Sequence, residues 1–342
     1  MRRSRTVQVV PVLVVVLLTA TVVAPPGAPA ALAPVPGAWE QWRRVEGIVD
    51  VAGVRSDGRL VGAARGRLVL VSPAGKVSAF APAYSVPPDP ESYVTVSPGV
   101  AVAGAGCRFP RDEVLALDLT GTPPGITRVT AGGTVSRLAT VSGVSTLSGI
   151  TLDTVGRFGH RVLVVGPGEP GRTHVFAVDC RGKVAPVATL DAQLEGGIAV
   201  APRGFGGFGG DLVAPSELSG NLYAVSPAGE LQTVAASGVP SGGDIGVESA
   251  GFVPRGAGLA AYVADRGTPR SAEPHPGTDH ILRLTKPALA RAGVRAGDLL
   301  VATEGSATLV RVRCGHTCTA AAVATGPPAA HAEGHLVVAA TG

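Results

Sequence analysis

RLVLVSPAG (Arg67–Gly75), EVLALDLTG (Glu113–Gly121), HVFAVDCRG (His174–Gly182), NLYAVSPAG (Asn221–Gly229) and ATLVRVRCG (Ala307–Gly315) are versions of one nine-residue unit, an apolar-alternating run closed by a turn and a glycine. Period-two alternation puts one face of such a run in a core, and the closing glycine supplies the turn geometry, so each unit reads as a strand followed by a hairpin. Gly75, Gly121, Gly182 and Gly229 stand 46, 61 and 47 residues apart. That spacing suits one four-stranded propeller blade per repeat and not a helix-pair solenoid. The expected fold is an all-β β-propeller.

Working outward from the nonapeptides, taken as third strands, each blade gains an inner, a second and an outer strand. Inner strands are expected at Gly47–Ala52, Tyr93–Val96, Gly149–Leu152, Gly197–Ala201 and Ser249–Val253. Second strands are expected at Arg59–Ala63, Val100–Ala103, Arg161–Val165, Asp211–Ala214, Leu259–Ala264 and Asp298–Ala302. Outer strands read as Val77–Phe80, Val135–Thr140, Val184–Leu190 and Leu231–Ala235, and HILRLTK (His280–Lys286) is a degraded sixth third strand. Six blades follow, with five or seven as alternatives, because the interval between the last two copies is too short for an outer and an inner strand. The terminal run His335–Ala339 is expected to supply the missing inner strand or close the ring, since an open propeller leaves an unpaired edge. Only Lys286–Gly297 reads as a helix, with Pro287 in its first turn and Gly297 at its end.

Ahead of the blades, a basic Met1–Arg5, an apolar Val7–Val23 and small residues Ala28-Pro29-Ala30 read as a signal peptide over residues 1–30, an uncleaved anchor being the alternative. Residues 31–45 are expected as a flexible mature terminus and 46–342 as the propeller. Arg2, Arg3 and Arg5 supply three of the four net positive charges. The rest is nearly neutral, has no Lys/Arg run and is only 4% aromatic. Nucleic acid is therefore excluded as a partner, for want of a phosphate-neutralising patch and a stacking platform. Secretion or residence in the cell envelope, as a monomer without a membrane span after cleavage, is the expectation.

The four cysteines fit an oxidising compartment. Cys314 and Cys318 flank a hairpin turn and are expected as a disulfide, a metal or redox pair being the alternative. Cys107 and Cys180 pair by elimination. On this strand layout, however, one follows a second strand and the other ends a third, which places them at opposite ends of adjacent blades.

Several enzyme signatures are missing. The histidines form no His-Glu-x-x-His, and there is no Gly-x-Ser-x-Gly elbow. Glu273, His275, Asp279 and His280 share a loop and read as solvated polarity, with metal binding as the alternative. Gly204–Gly209 (GFGGFG) matches a dinucleotide-binding pattern formally, but it opens a strand instead of a helix and reads as a tight turn.

Blade four, GGIAV (Gly196–Val200), GDLVA (Gly210–Ala214), NLYAV (Asn221–Val225) and GEL (Gly229–Leu231), resembles an NHL-type repeat. The same layout is similar to the calcium-dependent lactonase propellers of the gluconolactonase and senescence-marker family, which are six-bladed and in many cases extracellular or periplasmic. Glu46-Gly47, Glu195-Gly196 and Glu333-Gly334 each precede an inner strand, and Glu248 occupies the same place in Val247-Glu248-Ser249. Carboxylates so placed converge on the tunnel mouth, where they raise one another's pKa, recruit a hard cation or are separated by water. In the family a glutamate before a glycine is a metal ligand. The resemblance thus implies Glu195 or Glu46 as a calcium ligand, with Asp244 and Glu248 as partners. The family also uses asparagines at the metal, whereas the single asparagine here, Asn221, starts a third strand. The sequence supports a propeller that binds a protein or small-molecule ligand, with a calcium-dependent lactonase as the alternative; solvated glutamates capping strand starts are the non-metal reading.

Overall fold

Alternation turns into strands almost everywhere it occurs. A computed structural model of the chain describes residues 37–88, 90–168, 171–268 and 275–340; the leader and Glu273 lie outside these. Six four-stranded antiparallel sheets form a β-propeller. After β1 (Glu40–Arg44), blade one is β2 (Ile48–Val54), β3 (Leu60–Ala64), β4 (Arg67–Val71) and β5 (Val77–Phe80). Blade two is β6 (Val94–Val102), β7 (Cys107–Asp118), β8 (Gly125–Val129) and β9 (Val135–Thr140). Blade three is β10 (Gly149–Leu152), β11 (Val162–Pro167), β12 (Thr173–Val178) and β13 (Val184–Leu190), and blade four is β14 (Ala199–Val200), β15 (Leu212–Ser216), β16 (Asn221–Val225) and β17 (Leu231–Ala236). The first strand of each blade lines the central tunnel.

Blade two departs from the expected layout. Val100–Ala103 does not form a second strand; it belongs largely to a long β6 that pairs with β7 out to Val102 opposite Cys107. The copy Glu113–Gly121 therefore lies in the second strand, and the third is β8. The turn geometry explains the error. Gly75, Gly182 and Gly229 adopt left-handed φ of 78°, 84° and 84°, but Gly121 does not. Its role falls to Gly133, at φ 92°, whose amide bonds Thr130 O just as the Gly75 amide bonds Ser72 O.

The last two blades interlock. The chain passes from β18 (Val247–Phe252) into β19 (Leu259–Asp265) and β20 (His280–Leu284), through helix α1 (Lys286–Arg291), to β21 (Leu299–Thr303), β22 (Leu309–Cys314), β23 (Cys318–Ala324) and β24 (Ala332–Ala340). Inner strand β18 pairs not with β19, as the order of segments suggested, but with β21, so blade five is β18-β21-β22-β23. Strands β19 and β20 form the middle of blade six, between β24 inside and β1 outside. This resolves the short interval: α1 replaces an outer and an inner strand. It also corrects the flexible terminus over 31–45, because Glu40–Arg44 is the outer strand of blade six. Trp42 packs on Tyr262 with centroids 5.0 Å apart, Arg283 pairs with Glu40 at 2.7 Å, and buried Trp39 donates from Nε1 to Ala307 O at 2.8 Å.

Between successive blades lie apolar layers, such as Val49, Leu68, Val94 and Val114 between blades one and two. Each fully buried Val or Leu contributes about 1.5–3 kcal/mol. Because every layer needs both neighbours, the ring is stable only when closed. Deleting residues 332–342, which removes β24, is expected to abolish a single cooperative melting transition in calorimetry. Deleting residues 37–44 should lower Tm while keeping that transition, and an unchanged melt for the β24 deletion would remove this strand from the closure.

Both disulfides form. Cys314 and Cys318 face each other across the β22–β23 hairpin, with Cα atoms 4.0 Å apart. Cys107 bonds Cys180 with Cα atoms 6.0 Å apart. The expected separation at opposite ends is overturned by the layout of blade two: Cys107 begins β7 at the tip of the first hairpin, and Cys180 sits in the β12–β13 turn at the same end of blade three. A loop of that length is worth about 4 kcal/mol in chain entropy, and one of a few residues about 2. Cys107→Ser with Cys180→Ser should accordingly lower urea-unfolding stability more than Cys314→Ser with Cys318→Ser does; the reverse order would contradict the pairing.

Candidate functional site

The Glu-Gly pairs share a local geometry before they share a site. Gly47, Gly196 and Gly334 all have left-handed φ, 63°, 73° and 65°. A Cβ would collide with Arg65 at Gly47, with the Glu248 carboxylate at Gly196 and with the Asp50 carboxylate at Gly334. These glycines turn the chain into an inner strand at close quarters.

The preceding glutamates then diverge. Glu46 turns outward, 62% exposed, and pairs with Arg65 at 3.0 Å, so it is not part of the mouth. Asp244 is exposed on a loop with φ 61°. Glu195, Glu248 and Glu333 do come together, half-buried, 5% and 1% exposed respectively. Asn221 stays on β16, its amide 3.4 Å from Tyr223 Oη. His275 Nδ1 lies 2.7 Å from Pro328 O and His280 Nδ1 2.7 Å from Thr278 O, while Asp279 accepts from the Gly47 amide, so these loop residues do not converge. The glycine-rich Gly204–Gly209 turn packs Phe205 edge-on to Phe252 at 4.9 Å, without a phosphate cradle.

Residues that sequence reasoning missed complete the mouth. Tyr93, just before β6, donates from Oη to Glu333, with Glu248 Oε1 and Glu91 Oε2 each at 3.2 Å. Arg266, just past β19, bonds Glu91 and lies 3.2 Å from Glu333 Oε2. His331 approaches Glu304 with Nε2 at 2.6 Å and Glu333 at 3.7 Å, and its Nδ1 is 3.2 Å from the His275 carbonyl. Glu217, beyond β15, leans on Glu304. Glu304 alone among these carries the Glu-Gly signature, in Glu304-Gly305, but it follows a second strand, β21, instead of opening an inner one. For the others the available signal was position just outside a strand end on the tunnel side, which depends on knowing the blades.

Six carboxylates thus meet one guanidinium and one imidazole. Burial raises the Glu333 pKa, but the His331 hydrogen bond and the Arg266 charge outweigh it and hold the carboxyl down at about 2. Glu91, still 45% exposed, is pushed up chiefly by the Glu333 charge. Glu195 rises through burial and then the charges of Glu304 and Glu333, Glu217 through burial and its contact with Glu304, and Glu248 through burial followed by the surrounding acids. Burial pulls His331 down, yet Glu304 and Glu333 carry it up to about 10. Glu217 Oε1 and Glu248 Oε2 are buried without a hydrogen-bond partner.

Below the mouth, His335 crosses the tunnel. Its Nδ1 is 2.9 Å from Asp50 Oδ2, and its Nε2 is 2.6 Å from Ile150 O. Asp50 also accepts from the backbone amides of His335 and Val94, both at 2.7 Å. Burial lowers the His335 pKa, but the Asp50 charge and these hydrogen bonds raise it on balance. Its share of stability is therefore complete below the ordinary imidazole value of about 6.5 and is lost as pH rises through the higher folded value. Asp50→Ala leaves three donors without their acceptor and is expected to cost about 3–5 kcal/mol in urea unfolding. It should also make the loss of stability on raising the pH from 6 to 10 smaller than in the parent, the remainder coming from Glu91, Glu217 and His331; a variant as stable as the parent at pH 6 would refute the role of the pair.

No protein-family model and no curated protein matches the chain. Solved propellers align with it at low identity. Virginiamycin B lyase from Staphylococcus aureus is 13% identical, with a TM-score of 0.42 over 80% of this chain and 84% of the lyase. Regucalcin, a calcium-binding protein from Agrobacterium tumefaciens, is 12% identical, with a TM-score of 0.40 over 69% and 74%. A putative gluconolactonase is 12% identical, with a TM-score of 0.35 over 74% and 93%. The chain is a six-bladed β-propeller, the architecture expected from its resemblance to gluconolactonase-like proteins.

Proposed function

We propose that this chain is an extracytoplasmic binding module that captures its ligand at the acidic mouth of the propeller tunnel, with a divalent cation held by Glu304, His331 and Glu333. One observation carries the reading. The donor atoms of these three buried residues lie within 4.8 Å of one another. The imidazole is set up as a ligand: Nδ1 points at a backbone carbonyl, which can only accept, so Nδ1 carries its hydrogen and Nε2 faces the carboxylates. An ion there takes the place of the Nε2 proton, and the unpartnered Glu217 Oε1 stands ready to add an oxygen donor.

The donor set shifts the expected metal. Calcium takes oxygen ligands, whereas one imidazole with carboxylates suits zinc or manganese. No observation at the mouth favours the lactonase alternative, since the Asn221 side-chain amide is directed to Tyr223 Oη on its own strand. Two disulfides, and the absence among the described residues of a helix long and apolar enough to cross a membrane, support a place outside the cytoplasm.

The test is a thermal melt of chelator-treated chain from residue 31 onward, titrated separately with zinc, manganese and calcium. Zinc or manganese should raise Tm, since an ion at a hundredfold excess over its Kd adds about 2.7 kcal/mol to the native state. Glu304→Gln and His331→Gln should each remove the rise. No shift with any of the three ions would reject the cation site.

A further inference from the structure

We propose that the cleft beside this mouth, between the ends of blades two, three and four, binds a primary ammonium on an aliphatic chain, with the charged head on Glu195, at the end of the cleft next to the buried Glu248, and the chain along the cleft. The inference rests on the mouth being a ligand site, and it names the ligand's chemistry.

The cleft has a volume of about 460 Å³, within the range of small-molecule sites. Leu119, Leu147, Leu194 and Pro167 give it apolar walls, and Glu91 and Glu195 stand among its lining. Among the described residues, no lysine, arginine or aromatic ring lines it. A flat sugar or aromatic ligand therefore finds no stacking partner, and an anion finds no cation.

The carboxylates are not equally free. Glu91 is engaged by Arg266 and Tyr93. Among the described residues, Glu195 has one hydrogen-bond donor, Gln193 Nε2 at 3.4 Å, and no salt bridge. Behind it, outside the cleft lining, Glu248 is 5% exposed; its Oε1 accepts from Tyr93 Oη at 3.2 Å, and its Oε2 has no partner among the described residues. Its other oxygen lies so close to Gly196 that a Cβ there would collide with it, which sets the Glu248 carboxylate against the residue next to Glu195. Buried oxygen acceptors without donors are costly, and an ammonium brings three donors and a positive charge to such a place. The divalent ion proposed above sits on Glu304, His331 and Glu333 and does not supply these donors. A neutral alcohol brings one donor and no charge.

Isothermal titration of the chain from residue 31 onward, with chelator present, tests the assignment. The probes are hexan-1-amine, hexan-1-ol and hexanoate. The amine should bind saturably at one site, and the alcohol and the carboxylate should bind at least about tenfold more weakly. Glu195→Gln should reduce the amine affinity by about tenfold or more, and Leu147→Asp, in the cleft wall, should weaken hexan-1-amine more than it weakens methylamine. Nα-acetyl-lysine amide separates the two sources of this chemistry: tighter binding than hexan-1-amine assigns the cleft to a lysine side chain, weaker binding to a free amine. Equal affinity for amine and alcohol, or an unchanged affinity in Glu195→Gln, overturns the proposal. Amine binding that persists when zinc, manganese and calcium all fail to shift the melt sinks only the cation site. A metal shift without amine binding sinks only this inference.

Discussion

The contact between His335 and Asp50 ties the propeller together across its axis. Asp50 belongs to blade one and His335 to blade six; Val94, whose amide Asp50 also accepts, opens blade two, and Ile150, whose carbonyl faces His335 Nε2, lies in blade three. One buried ion pair therefore joins four of six blades at the centre. A charge pair so deep is costly to desolvate, and it is tolerable because the remaining hydrogen-bonding capacity of both groups is met. Its placement on β24 matters. The strand that arrives last in the chain brings the imidazole that locks the first blades to the last.

That closure divides the tunnel. On one side of His335 the innermost strands leave an apolar chamber lined by residues such as Val96, Leu152, Val200 and Val338. On the other side are the acids. Only Glu333 is compensated twice, by Arg266 and by His331, and it alone has a carboxyl held well below its ordinary range. Glu195, Glu217 and Glu248 are raised by burial and by the neighbouring acids without a cation of their own, and Glu91 is raised by the Glu333 charge in spite of its bond to Arg266. An accumulation of buried like charge opposes folding, and a cation from outside relieves it. The mouth thus combines a cost in stability with a capacity to bind.

The interlocking of blades five and six fits the same logic. Had β18, β19 and β20 formed a sequential blade, the chain would have reached its end with a complete sheet and an unprotected seam. Drawing β19 and β20 into the last blade gives that blade an outer strand from the beginning of the chain and an inner strand from its end. The seam is then made of backbone ladders on both sides, with Trp39 and Trp42 packed over it. The disulfide from Cys107 to Cys180 performs a comparable service between blades two and three, where the extended β6–β7 hairpin reaches beside its neighbour's turn.

The sequence by itself determined the all-β class and most of the strands and favoured six blades over five or seven, because period-two alternation and turn glycines are local properties of the chain. It also marked Glu195, Glu248 and Glu333 as residues at inner-strand starts. Tertiary structure alone decided which strand pairs with which. Val247–Phe252 and Leu259–Asp265 read as consecutive strands of one blade yet belong to two, since either pairing satisfies the same apolar pattern and only closure of the ring distinguishes them. The same holds for side-chain direction. Glu46 and Glu195 share a motif and a left-handed glycine, but Arg65 draws the first outward while the second remains at the mouth. Arg266 and His331, which set the charge of the site, come from strand ends and loops whose approach to the axis depends on the packing of six sheets, and no local pattern encodes that; Glu304 repeats the Glu-Gly pair, but after a second strand, where the pair did not point to the tunnel.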